Sequence, residues 1–236
     1  MTAIAALLTL ADSRLPVGGH AHSGGVEQAI SAGAVTDAAT LADFLDRRLH
    51  TVAPVAAALA AAACHAVIGQ AVASSDGGDS PASRAGAARR LAELDAEADA
   101  RTPSPALRTA SRALGRGLAR LGRRAWPHPA WAALPAAPQH SIALGVAAAA
   151  AGVEPAGAAE VAAYLTISGP AAAAQRLLSL DPLVVAAITA DLCAGADEVA
   201  DVAALDPAGP LNAVSDPWFD LLAETHAARE DRLFAS

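Results

Sequence analysis

Lysine is absent from this sequence, because all sixteen basic residues among its 236 are arginine. A phosphate-binding P-loop requires a lysine after its glycine-rich turn, and Schiff-base enzymes and protein kinases require a lysine in their active sites. The sequence therefore excludes these classes. Any nucleotide hydrolysis in which this protein takes part must be performed by a partner.

Cysteines and aromatic residues are scarce. Cys64 and Cys193 are far apart, no Cys-x-x-Cys pair exists, and aromatic residues make up 3% of the chain. This excludes a disulfide framework and a cysteine-based zinc site, and we expect both cysteines to be small buried side chains. The N-terminus lacks the basic segment of a secretory signal, so we expect a cytoplasmic protein.

One uncharged run, residues 54–73, has the length of a membrane span. Half of it is alanine, and it contains Cys64, His65 and Gln70. This composition favours a buried helix of a bundle, and we expect no contact with a membrane.

Alanine dominates a sequence that is 54% hydrophobic. Alanine has the highest helix propensity and a low strand propensity, and no run alternates β-branched with polar residues. The sequence predicts an all-α, single-domain multi-helix bundle over residues 1–205. Residues 206–236 are predicted to form a proline-containing linker and an amphipathic segment that binds a partner.

Local signals predict several helix boundaries. Thr36 is the expected N-cap of one helix, and Ser104-Pro105 is a strong start for another that runs to about Arg124. Near the middle of the chain we expect three separate helices, over residues 141–152, 156–168 and 170–179, because Pro170 normally begins a helix rather than continuing one.

The signature segment, Leu10–Glu27, combines four glycines, one proline, two histidines, two serines and two acids. Pro16 restricts the backbone, whereas the two glycine pairs permit conformations that other residues avoid. The pattern predicts a shaped turn that leads into a helix. Its polar side chains are Asp12, His20, His22, Ser23 and Glu27.

The signature segment resembles that of the urease accessory protein F (UreF) family, which runs roughly L-A-D-S-x-L-P-x-G-G-F-x-H/Y-S-x-G-L-E. The chain differs at His20, where the family usually has phenylalanine, and at Val26, where leucine is usual. Two later segments, 108–115 and 140–145, resemble the family patterns R-x-x-S-x-x-x-G and H-x-x-x-x-G. The matching positions are Leu10, Ala11, Asp12, Ser13, Leu15, Pro16, Gly18, Gly19, His22, Ser23, Gly25 and Glu27.

This resemblance implies an all-α, dimeric protein that is not an enzyme. It implies assembly with the accessory proteins D (also called H) and G and with apo-urease, and assistance in GTP-dependent nickel insertion. The G protein is the GTPase, in agreement with the missing lysine. The resemblance implies that the signature segment forms the dimer core or the nickel passage, through Asp12, Ser13, Pro16, Gly18, Gly19, His20, His22, Ser23, Gly25 and Glu27.

The residues alone leave two other interpretations open. His20 and His22 with an acid could form a metal-dependent hydrolase, since imidazoles bind nickel and zinc. No third ligand of clear type is adjacent, so we expect no firmly held metal and at most transient nickel contact. The other interpretation is a purely structural helical scaffold. Glu27 is either a capping or salt-bridging acid or a partner contact.

Charge is unevenly distributed. Residues 84–124 hold ten arginines and four acids, whereas residues 181–236 hold eleven acids and two arginines. Within the first region, arginines recur every fourth residue along one helix. We predict that this basic helix is a partner surface. The alternatives are a solvated face, pairing with the acidic C-terminal tail and nucleic-acid binding. Nucleic-acid binding agrees least with the net charge of −8. The predicted contacts of the basic helix are Arg108, Ser111, Arg112, Arg116 and Arg120.

The C-terminal segment, Trp218–Phe234, carries several large apolar residues after a proline-containing linker. These residues must pack either on their own chain or on a partner, since segments that fold on binding have this composition. The predicted partner contacts are Trp218, Phe219, Leu222 and Phe234.

Overall fold

The computed structural model describes residues 3–12, 14–75, 81–211 and 213–235, so the predicted site residue Ser13 lies outside the described residues. The described residues form helices and contain no strand, which confirms the all-α prediction. Two short 3-10 helices are η1 (Gly19–Ala21) and η2 (Pro129–Ala132). The α-helices are α1 (Ala3–Ala11), α2 (Val26–Ser31), α3 (Ala38–Thr51), α4 (Ala53–Ser75), α5 (Pro81–Ala100), α6 (Pro105–Ala125), α7 (His140–Ala150), α8 (Pro155–Leu178), α9 (Pro182–Asp191), α10 (Cys193–Leu205) and α11 (Pro217–Ala227).

Helices α4 and α8 form the centre of the bundle. Helix α4 packs against α7 and α8, and α8 also contacts α10 and α3. The two largest groups of buried side chains meet along these helices. One lies among α1, α4, α5, α6 and α7, and the other among α2, α3, α8 and α11. The second group includes Phe219, Leu222 and Phe234 of the C-terminal segment.

Side-chain capping marks the start of several helices, among them α3, α6, α9 and α11. The Ser104 hydroxyl accepts a hydrogen bond from the Leu107 amide at 3.1 Å, as its position before Pro105 predicted. Helix α3 begins one residue later than expected. Asp37 rather than Thr36 is the N-cap, because Asp37 and Thr40 bond reciprocally in a capping box.

The predicted helix boundary at Pro170 is wrong, because α8 continues through it. A proline has no amide hydrogen, so Pro170 leaves the Thr166 carbonyl without its usual partner in the helix. The Arg48 Nε donates to that carbonyl at 2.9 Å. A side chain from another helix thus supplies the hydrogen-bond donor that Pro170 lacks, and α8 continues to Leu178 with a total length of 24 residues.

No single helix in the described ranges is long and apolar enough to cross a membrane. One pair of helices, α3 with the first part of α4 (Ala53–Gly69), passes the same test when combined, but it bends by 43°.

Candidate partner-binding site

The signature segment forms the predicted turn into a helix. After α1 the backbone turns at Leu15–Val17, makes the 3-10 helix η1 and enters α2 at Val26. Gly18 and Gly25 precede η1 and α2 with φ values of 96° and 89°. This left-handed region is open to glycine at little cost, so the two positions account for the glycine pairs in the sequence.

Two glycines bring the signature segment into backbone contact with other helices. On α6, a Cβ added at Gly117 would lie 2.4 Å from the Val17 carbonyl oxygen. A Cβ at Gly24 would lie 2.7 Å from the Pro170 ring on α8. The segment therefore packs closely between α6 and α8. A side chain at Gly117 or Gly24 would push the segment away from these helices.

Arg48 connects three parts of this site, and sequence reasoning did not identify it. Its Nη1 donates to the Gly24 carbonyl at 2.7 Å, its Nε bonds the Thr166 carbonyl, and its guanidinium lies 5.1 Å from the centre of the Phe219 ring. Burial lowers its pKa to about 10, so the group stays charged at neutral pH. A proline within a helical pattern indicates that the carbonyl four residues before it needs a donor from elsewhere. The local sequence does not indicate which side chain supplies that donor.

Glu27 is the anchor of the C-terminal segment. Its buried carboxylate accepts hydrogen bonds from His226 Nε2 at 2.7 Å and from the amides of Leu233 and Phe234 at 2.7 and 3.0 Å. Burial raises the carboxyl pKa, but these donors outweigh it and leave the pKa below its ordinary value. Glu27 thus holds the C-terminal segment through hydrogen bonds, and its contact with a partner stays a prediction.

The apolar residues of the C-terminal segment pack against their own chain. Phe44 of α3 contacts Trp218 and Phe219 edge-on, with ring centres 5.8 and 5.4 Å apart. Leu222 and Phe234 are buried in the same group. The interpretation in which the segment folds onto its own chain therefore describes this structure, and contact of these four residues with a partner stays a prediction.

The two histidines of the signature segment and His140 of α7 differ in environment. His20 is exposed, whereas His22 is partly buried. The pKa of His22 is lowered mainly by burial and to a smaller extent by the charge of His20. Burial, reinforced by the charge of His22, lowers the pKa of His140 to about 4. Nowhere in the described ranges do three or more His, Cys, Asp or Glu side chains form a group able to hold a metal ion.

The depressed pKa of His140 predicts a pH-dependent stability. The unfolded chain binds a proton at this histidine near pH 6.5, but the folded chain does so only near pH 4. Stability should therefore fall by about 1–3 kcal/mol as the pH drops between these values. Urea unfolding across this range should show a flatter pH dependence for His140→Gln. The exposed His50 provides the matched variant, His50→Gln, and a slope equally steep in His140→Gln would contradict the prediction.

The remaining residues of the signature segment differ in their exposure to solvent. Asp12 pairs with Arg14 at 2.9 Å, which lowers its pKa, and it lines an open cleft of about 730 Å³ with Pro16 and Tyr164. Gly19 is exposed, whereas Ser23 is fully buried. The first part of the segment therefore has exposed residues that a partner could contact, whereas its end is buried in the core.

The basic helix α6 divides into internal and external arginines. Arg112 pairs with Asp95 and Asp99 of α5, and the Arg108 guanidinium bonds the carbonyls of Thr102 and Pro103. Ser111 also faces inward, since its hydroxyl accepts from the His140 amide at 2.9 Å. Two of the five predicted contacts project outward, namely Arg116 and Arg120.

The acidic C-terminal helix binds the start of α6 rather than its arginine row. Asp220 accepts from the Ser104 amide and Glu224 from the Ala106 amide, both at 2.9 Å. Carboxylates are favourable at a helix N-terminus because amide hydrogens there lack partners within the helix. Asp220 and Glu224 thus stabilise the N-terminus of α6.

Gly117→Ala tests the clamp on the signature segment. The new methyl group collides with the Val17 carbonyl, so we expect a loss of about 1–3 kcal/mol in unfolding free energy and faster amide exchange over residues 15–22. Denaturant titration and hydrogen exchange measure both effects. In the matched variant Gly86→Ala the methyl group meets open space, so exchange should not change. Unaltered exchange in Gly117→Ala would show that the segment does not depend on this contact.

Comparison with known proteins gives one family over most of the chain. A family model described as UreF matches residues 35–193, which begins after the signature segment and includes both weaker motif segments. The chain is 48% identical to the urease accessory protein UreF of Mycobacterium sp. (strain JLS) and to that of Mycolicibacterium vanbaalenii. It is 46% identical to the Mycobacterium marinum protein of the same name. Each comparison covers 236 residues and the full length of both chains.

Proposed function

Because this chain belongs to the UreF family of urease accessory proteins, we propose that it assembles with the accessory proteins D/H and G on apo-urease and assists GTP-dependent nickel insertion. The observation that carries the proposal is the 48% identity over the full length of a urease accessory protein. The family consists of accessory proteins rather than enzymes. We further propose that the protein acts as a homodimer in the cytoplasm.

The residue content supports a division of labour in this assembly. Without lysine the chain cannot form a P-loop, so GTP hydrolysis belongs to the G protein. Nickel is the cargo, and the signature segment offers two imidazoles for passing contact, those of His20 and His22. No third ligand joins them among the described residues, which suits transfer rather than tight retention.

We place the partner contacts on the exposed part of the signature segment and on the outward side of α6. The segment is held firmly by Gly117, Arg48 and Glu27, so its exposed turn is presented in one conformation. A preformed surface binds with less loss of conformational entropy than a flexible one. The C-terminal segment is a further contact candidate, through the partly exposed Trp218.

Urease activation tests the proposal directly. Urease subunits are co-expressed with the D/H and G proteins, with and without this chain, in medium containing nickel. We expect active, nickel-loaded urease only when the chain is present, with equal amounts of apo-urease in both cultures. Equal nickel content without the chain would contradict the proposal and favour a purely structural scaffold.

The composition of the complex is a separate measurement. Light scattering after size exclusion, on the chain co-expressed with the D/H protein, should give a particle with two copies of each. A lone monomer that binds no D/H protein would contradict both the proposed partner and the dimer. The metal content and hydrolytic turnover of the isolated chain would then test the metal-dependent hydrolase.

A further inference from the structure

Three exposed arginines on α6 form a charged surface without a counterpart on the described part of this chain. We infer that this surface, Arg116, Arg120 and Arg124, here called the outer arginine face, docks an acidic face of another protein in the urease assembly. The inference rests on the proposed function and adds to it the position of one contact and the chemistry of its partner.

The outer arginine face differs from the inner arginines of the same helix. Arg112 has two carboxylate partners, and Arg108 bonds two backbone carbonyls. In contrast, the three outer arginines are exposed, and among the described residues none of them forms an ion pair. Like charges four residues apart repel one another along a helix. A partner that supplies carboxylates would remove this repulsion.

The four acids that contact α6 bind other parts of the helix. Asp95 and Asp99 bind Arg112, which holds α5 to α6. The carboxylates of Asp220 and Glu224 bind the N-terminus of α6, which is the opposite end of the helix from Arg124. Internal pairing therefore leaves the outer arginine face available to another molecule.

Helical geometry brings this face next to the signature segment. At 3.6 residues per turn, Gly117 lies about 60° from Arg120 and about 20° from Arg124 around the helix axis. The Val17 carbonyl rests on Gly117, so the signature segment borders the arginines on this side. A partner that contacts the arginines would therefore lie beside the part of the signature segment around Val17.

Protein carboxylates fit this surface better than nucleic acid does. The chain carries a net charge of −8, so a polyanion would be repelled by most of the molecule. Proteins that bind single strands stack bases on aromatic side chains, but no aromatic residue lies within residues 105–125. An acidic patch of limited size on a protein can contact the arginines while the rest of that protein stays away from the acidic regions of this chain.

Charge reversal with a matched control tests this inference. Arg116→Glu/Arg120→Glu changes the outer arginine face, whereas Arg89→Glu/Arg90→Glu places the same charge change on α5, at the exposed Arg89 and the half-buried Arg90, which pair with Glu93. Purified D/H protein, G protein and apo-urease are titrated separately by calorimetry at low and high salt. The first variant should bind at least one of them about tenfold more weakly, with a smaller salt dependence, and the control should bind like the unmodified chain.

A second variant separates charge from folding. Arg116→Lys/Arg120→Lys keeps both charges and should retain most of the affinity, and the variants at positions 116 and 120 should unfold at the same temperature as the unmodified chain because both side chains are exposed. Equal affinities of the two charge-reversed variants for every protein would overturn the inference. So would a loss that is confined to a DNA duplex or to anionic vesicles, tested as alternative probes. If the unmodified chain binds none of the three proteins, the proposed function itself fails.

Discussion

Replacing Gly145 by alanine should lower the unfolding free energy by about 2–3 kcal/mol, because two backbones meet at this position. A Cβ at Gly145 would lie 2.3 Å from the Ala60 carbonyl oxygen, 2.7 Å from the Ala63 Cβ and 2.8 Å from the Cys64 amide nitrogen. None of these atoms belongs to the end of a flexible side chain. Helices α4 and α7 would therefore have to separate.

The opposite sign is expected for the same substitution in open space. Gly69 lies in α4, and a methyl group added there would have no neighbouring atom within 4 Å. Gly69→Ala should therefore raise the unfolding free energy by about 0.5–1 kcal/mol through helix propensity. Denaturant unfolding of both variants measures the difference. A Gly145→Ala variant that is as stable as Gly69→Ala would show that α4 and α7 are not in the close contact described.

Glu27→Ala should destabilise the fold by about 3–5 kcal/mol and release the end of the C-terminal segment. The change leaves three donors without an acceptor, the buried His226 Nε2 and Phe234 amide and the half-buried Leu233 amide. The Ala235 amide would keep its bond to the Ala21 carbonyl, but this single contact lies beyond the lost anchors. We therefore expect the amides of residues 233 and 234 to lose their protection from hydrogen exchange.

Glu230→Ala is the matched control, because Glu230 is an exposed acid three residues before Leu233. It should change the unfolding free energy by about 0.5 kcal/mol or less. Acid should have a related effect on the unmodified chain. Since the folded-state pKa of Glu27 lies below its ordinary value of 4.5, its contribution is present above pH 4.5 and is lost as the pH falls through the folded-state pKa. Preserved amide protection in Glu27→Ala would contradict the anchoring role.

Much of the fold could be predicted from local sequence signals. Alanine content indicated helices, Ser104-Pro105 marked the start of α6, and the glycines of the signature segment indicated its turn. Each of these signals acts within about four residues, where backbone propensity and capping decide the conformation. The motifs also indicated the family, which the full-length comparisons confirm.

The remaining features depend on residues that meet across long separations. Arg48 supports α8 at Thr166, 118 positions away, and His226 reaches Glu27 across 199 positions. Nothing in the local pattern distinguishes these side chains from other arginines and histidines, because their partners are chosen by helix packing. The same packing divided the arginines of α6, placing Arg112 against α5 and leaving Arg116 in solvent. Periodicity shows which residues share a helical face, but what that face meets depends on the arrangement of all the helices.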